Sequence, residues 1–138
     1  MKLFKKSVLK TYKSLLQSVP MILGILFLIG LINSLLTKNI YTKLFGHGNL
    51  IDSFIGAFWG SISIGAPVNS YILGGEFLKS GVSLVAVTAF IVTWVSVGII
   101  QLPIEAKFLG IKFAVWRNIS AFILAILIAI ATNFLIKL

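Results

Sequence analysis

Residues 60–76 read GSISIGAPVNSYILGGE, and seven of them have chemistry suited to holding a solute: Ser63, Gly65, Pro67, Asn69, Ser70, Tyr71 and Glu76. That chemistry is binding rather than bond-making. Pro67 removes a backbone donor and disfavours helix at Ala66, so the carbonyls of Ser63, Ile64 and Gly65 are left free to face a cation. A helix restarting near Asn69 and Ser70 turns its first N–H groups toward the same break, where they favour an anion or a carbonyl oxygen. Asn69, Ser70 and Ser63 add side-chain dipoles, and Tyr71 adds a ring and a hydroxyl. Catalysis is not expected. With no cysteine, one histidine (His47) and three acids (Asp52, Glu76, Glu105), the chain offers no nucleophile–base set and no metal cluster, and no cofactor is implied.

The elements that must carry this break are apolar. The 138 residues are 59% hydrophobic, with mean hydropathy +1.09, and only 11% are charged, against about 25% in an ordinary soluble domain. Several apolar runs approach the roughly 20 residues that cross a bilayer as a helix. Composition therefore predicts an all-α integral membrane protein of one domain, 1–138, with the lipid bilayer as its main partner. Its expected location is a prokaryotic cytoplasmic membrane.

The net charge of +9 does not imply nucleic acid here. Lys2, Lys5, Lys6, Lys10 and Lys13 crowd the first thirteen positions, while Phe4, Val8, Tyr12 and Leu15 recur every three or four residues. That pattern predicts a basic amphipathic helix over 1–17, suited to an anionic membrane surface. No small-x-small cleavage site follows, so the next apolar run is read as a span and not as a cleaved leader.

The expected spans are 19–36, 82–102 (closed by Pro103) and 116–136 (opened by the interface pair Trp116 and Arg117). Polar connections fall at 37–49 and 104–115. Asn49 is the expected cap of the helix that starts the remaining segment, 50–79. Thirty helical residues there would measure about 45 Å, too long for one straight crossing of a core about 30 Å thick. Two arrangements fit: three full transmembrane helices plus a Gly/Pro-broken, re-entrant helical hairpin, or four spans with one broken. In the first, Lys2, Lys5, Lys6, Lys10, Lys13, Lys107, Lys112 and Arg117 share a side, and Lys38, Lys43, Lys79 and Lys137 lie opposite. In the second, Lys79 and Lys137 join the five N-terminal lysines while Lys107, Lys112 and Arg117 lie opposite with Lys38 and Lys43, and the split falls to seven against five. The positive-inside rule favours the hairpin.

Non-helical backbone at membrane depth is tolerated only where protein buries it or a cavity lines it, and transporters bind solutes at such breaks. A plainer role for the same residues is a kink at Pro67 with close packing at Gly56 and Gly60. Glu76 has two readings as well: a functional acid within the membrane, or an ion-pair partner for Lys79 three residues on. Asp52 and Glu105 read as ordinary interface acids, and His47 as a solvated loop residue. Thr93, Ser96 and Gln101 share a helical face and either line a cavity or bond across helices.

The stretch GAPVNSYILGGEFLKSGVSLVAVTAFIVTWVSVGIIQLPIEAKFLG resembles permeases of the YraQ/ArsP type, which include organoarsenical efflux permeases. The likeness rests on Gly65-x-Pro67, Ser70, Gly74, Leu78, Gly81-Val82 and Ala89-Phe90, and it covers about 65–125. Full-length members have two related halves, each with such a break, so the resemblance implies that this chain is one half. A working unit then needs a homodimer or a partner half-permease. The resemblance implies transport of a small solute or ion, with the site at 65–71. The organoarsenical members carry cysteines near the break; this chain has none, so thiol capture of arsenic does not carry over. The alternative function is a non-transporting assembly or anchoring subunit whose break only shapes packing.

Overall fold

The computed structural model describes residues 2–35 and 45–138. The last residue of the expected 19–36 span and most of the 37–49 connection, with Lys38 and Lys43, lie outside them. Every regular element among the described residues is an α-helix: α1 (Lys2–Leu35), α2 (Asn49–Ile62), α3 (Pro67–Lys79), α4 (Leu84–Ser96), α5 (Leu102–Leu109) and α6 (Ile111–Ile136). The chain divides into two units, Met1–Leu35 and Leu36–Leu138.

The first unit is α1. The sequence predicts a boundary near residue 18 between an interfacial helix and a span, but α1 is continuous and carries Pro20 inside it. Proline removes one i→i−4 bond, and the turns on either side carry the helix past that gap. At 1.5 Å per residue its 34 residues measure about 51 Å. Lys6, Lys10 and Lys13 are exposed along it.

The second unit is built around α4, which packs against α2, α3 and α6; α6 also meets α2 and α5. Small residues make this possible. Ala57, Val85, Ala89 and Ala129 form the buried cluster, with Phe122, Ile126 and Ile130 packed onto it. Gly56 lies on the backbone of Ala86, and Gly60 on Phe90 and Thr93. The expected Gly56–Gly60 pair is thus a contact face. Buried hydroxyls are satisfied within their own helices: Ser53 donates to the Leu50 carbonyl at 2.9 Å, Ser61 to Phe58 at 2.7 Å and Thr93 to Ala89 at 2.7 Å. Large apolar side chains such as Phe54, Phe58, Ile123 and Leu127 stay exposed.

The same contacts fix the direction of each helix. Residues 56 and 60 meet 86 and 90, so α2 and α4 run parallel. Gly74 meets Val87 and Ile91, Phe77 stacks edge-on to Phe90, and Gly65 lies beside Trp94, so α3 runs antiparallel to α4. The chain therefore reverses between α2 and α3. Segment 50–79 is a helical hairpin, with its bend at 63–66.

Several sequence-based boundaries are corrected. The expected span 82–102 stops at Ser96, where Val97 is extended. Its 13 helical residues reach about 20 Å, short of a hydrocarbon core about 30 Å thick. Pro103 lies in the first turn of the next helix, Leu102–Leu109, where its missing N–H is tolerated. Residues 104–109, half of the expected 104–115 loop, are instead part of helix α5, and α6 begins at Ile111, five residues ahead of the expected 116. Gly110, at φ 87°, makes the sharp corner between them. Helix α6 is, by length and composition, long and apolar enough to cross a membrane. At the start of α2 the cap is Gly48, not Asn49, and it makes no side-chain cap bond. Asp52, in the first turn of α2, is buried there and accepts the His47 backbone N–H at 3.3 Å.

Candidate functional site

The first break follows from three residues. Ser63 leaves helical geometry (ψ 146°), its N–H still reaching the Gly60 carbonyl at 3.2 Å and its hydroxyl the Trp59 carbonyl at 2.7 Å. Gly65 sits at φ 154°, in a conformation that side-chain-bearing residues rarely adopt. Ala66 is extended, as the residue before a proline should be, and Pro67 opens α3, two residues earlier than the sequence predicts.

Burial then separates the seven candidate residues. Asn69 and Ser70 are buried, with Asn69 4% exposed. A Cβ placed on Gly65 would lie 2.9 Å from Asn69 Nδ2 and 3.1 Å from the Trp94 ring, so Gly65 is wedged between the two. The Trp94 indole N–H donates to the Gly65 carbonyl at 3.3 Å, and the Ser70 hydroxyl to the Pro67 carbonyl at 2.7 Å. Gly65, Pro67, Asn69 and Ser70 therefore come together, with Ser63 at their edge. Tyr71 is exposed. Glu76 lies seven residues further along α3, about 10 Å away, and pairs with Lys79 at 2.7 Å.

A second break adjoins the first. Because α2 and α4 run parallel with Gly60 against Thr93, the end of α2 at Ile62 and the end of α4 at Ser96 fall within about a turn of each other. Two helix C-termini, with their negative partial charge, thus meet the N-terminus of α3. The second break is held by groups whose partnership the sequence does not reveal. Asn118 Oδ1 accepts the Gly98 N–H at 3.0 Å, while Asn118 Nδ2 donates to Glu105 Oε2 at 3.2 Å and to the Ala114 carbonyl at 2.9 Å. Arg117 donates through Nε to Glu105 Oε2 at 3.1 Å and through Nη2 to Glu105 Oε1. Glu105 is therefore the acceptor that ties α5 to α6, and not an ordinary interface acid.

Thr93 and Ser96 neither bond across helices nor present a free hydroxyl. Thr93 bonds to Ala89 and Phe90, and Ser96 to Val92 at 2.6 Å. Gln101 is exposed. No buried side-chain nitrogen or oxygen among the described residues lacks a partner. The break zone is internally bonded, with Asn69 and Ser70 buried and residues 64–68 and 99–101 exposed. Compared with known protein families, curated proteins and solved structures, the chain has no match.

Proposed function

We propose that this chain is a half-size permease subunit, moving a small solute or ion across a membrane as a homodimer or with a partner half. The observation that carries the reading is the juxtaposition of two helix breaks, 63–66 and 97–101, beside the buried amide of Asn69. Interrupted helices that bring C-terminal carbonyls and an N-terminal end to one place are the means by which transporters bind ions and polar solutes within the bilayer. The inverted packing supports a membrane setting, since large apolar side chains face outward and serine, threonine and alanine lie inside.

In this reading residues 19–35 of α1 cross once, α6 crosses once, and α4 with 97–101 makes the third crossing. The α2–α3 hairpin enters and leaves on one side. A prokaryotic cytoplasmic membrane is the proposed location. The resemblance to YraQ/ArsP-type permeases accords with this assignment.

The test is flux in proteoliposomes screened against small ions and polar solutes. Asn69→Ala should lower flux at least about tenfold, the equivalent of one lost buried hydrogen bond near 1.4 kcal/mol. Ser70→Ala should lower it less, because that hydroxyl is engaged by Pro67. Both variants should still fold and assemble. Wild-type flux from Asn69→Ala would refute the site. The second reading, a non-transporting assembly subunit, draws on the tight wedge of Gly65 between Asn69 and Trp94. It predicts no flux for any solute from a well-folded oligomer.

A further inference from the structure

We propose that the corner where α5 meets α6 binds the headgroup of an anionic phospholipid. The inference rests on the membrane reading but not on transport. Residues 118–136 of α6 contain no charged side chain, and these 19 residues rise about 28 Å, close to the thickness of the hydrocarbon core. Arg117, and with it the α5–α6 corner, therefore falls at headgroup depth.

Charge at that corner is unbalanced. The acid there, Glu105, is committed to Arg117 and Asn118. Lys107, in the last turn of α5, and Lys112, in the first turn of α6, lie within three residues of Gly110 on either side, and both are exposed. Neither takes part in the ion pairs formed among the described residues. The Arg117–Glu105 pair fixes α5 onto α6, so the two lysines are presented from a fixed corner and not from a loose loop. Around them Phe108 is 79% exposed, Trp116 71% and Phe113 55%. Exposed aromatic rings beside uncompensated lysines match the two layers of a lipid, acyl chain below and phosphate above. A zwitterionic headgroup carries the same phosphate, but its own ammonium offsets the negative charge that the lysines attract. Each lysine near an anionic surface contributes roughly a fivefold preference.

The experiment uses the full chain reconstituted in phosphatidylcholine vesicles, with W59F and W94F leaving Trp116 as the fluorophore. Brominated phosphatidylglycerol, or brominated phosphatidylcholine at the same mole fraction, is the quencher. Phosphatidylglycerol should quench Trp116 at least about threefold more effectively, a conservative share of the two-lysine preference. That preference should fall to near unity in K107Q/K112Q and survive in K10Q/K13Q, which alters only α1. Equal quenching by the two lipids would overturn the lipid site while leaving the membrane setting standing. Quenching by neither would overturn both. A preference that survives K107Q/K112Q would overturn the assignment to this corner.

Discussion

Gly56→Ala is expected to destabilise the second unit by about 2 kcal/mol, although alanine is the better helix former. A Cβ at position 56 would sit 2.8 Å from the Ala86 carbonyl carbon and 2.9 Å from the Ala86 Cα, and would overlap the carbonyl oxygen. All three atoms are backbone, so no side-chain rotation relieves the clash, and α2 must move off α4. Overpacking of this kind costs about 3 kcal/mol at the upper end of its usual range, offset by about 1 kcal/mol from helix propensity. Gly60→Ala should act in the same direction, since its Cβ would meet the backbone of Phe90 and the hydroxyl of Thr93. The internal control is Gly75→Ala on α3, where nothing lies within 4 Å of the added methyl. That variant should be neutral or more stable by up to about 1 kcal/mol. Unfolding in mixed micelles, followed by circular dichroism, measures all three. Equal behaviour of Gly56→Ala and Gly75→Ala would refute the close parallel packing of α2 on α4.

Asn118→Ala is expected to cost about 2 kcal/mol and to loosen the second break locally. Its amide is 6% exposed and serves three partners at once, Gly98, Glu105 and Ala114. Truncation leaves the Gly98 N–H without its acceptor and Glu105 with one donor fewer, and an orphaned buried group costs about 1–3 kcal/mol. Arg117→Ala should cost less, about 1 kcal/mol, because the Arg117 side chain is 38% exposed and water screens the pair. Hydrogen exchange separates local from global effects. The Gly98 amide should exchange faster in Asn118→Ala while amides in the middle of α6 keep their protection. Unchanged protection of Gly98 would mean that Asn118 does not hold the break.

Legibility in the sequence tracked the range of the interaction that decides each feature. The break at 63–66 is legible because Pro67 acts on its immediate neighbours, and the Gly56–Gly60 spacing marks a close-packed face. Helical fold class follows from composition. The end of α4 is not legible, because Val97 and Gly98 continue an apolar run, and the N–H that leaves the helix is taken up by Asn118, 20 residues away. Nothing in a spacing of 12 residues signals that Glu105 will meet Arg117. The continuity of α1 through Pro20 is a similar case: proline weakens a helix at one bond, and the flanking turns decide whether it breaks. Within the candidate site, polarity pointed to Asn69 and Ser70, but residue type does not tell burial. Tyr71 faces outward, and Glu76 has its own partner in Lys79. Trp94, which contacts the bend, reads in sequence as one more aromatic of an apolar helix.

The chain turns back on itself at 63–66, and in the proposed membrane setting it does so inside the bilayer. Because α2 runs parallel to α4 and α3 antiparallel to it, residues 48 and 80 belong to the same end of the hairpin. The chain has no cysteine, so single cysteines at 48 and at 80 can be labelled with a membrane-impermeant maleimide in sealed, oriented vesicles. Labelling of both positions from the same side is the predicted result; labelling from opposite sides would contradict it, because 50–79 would then cross as one broken span.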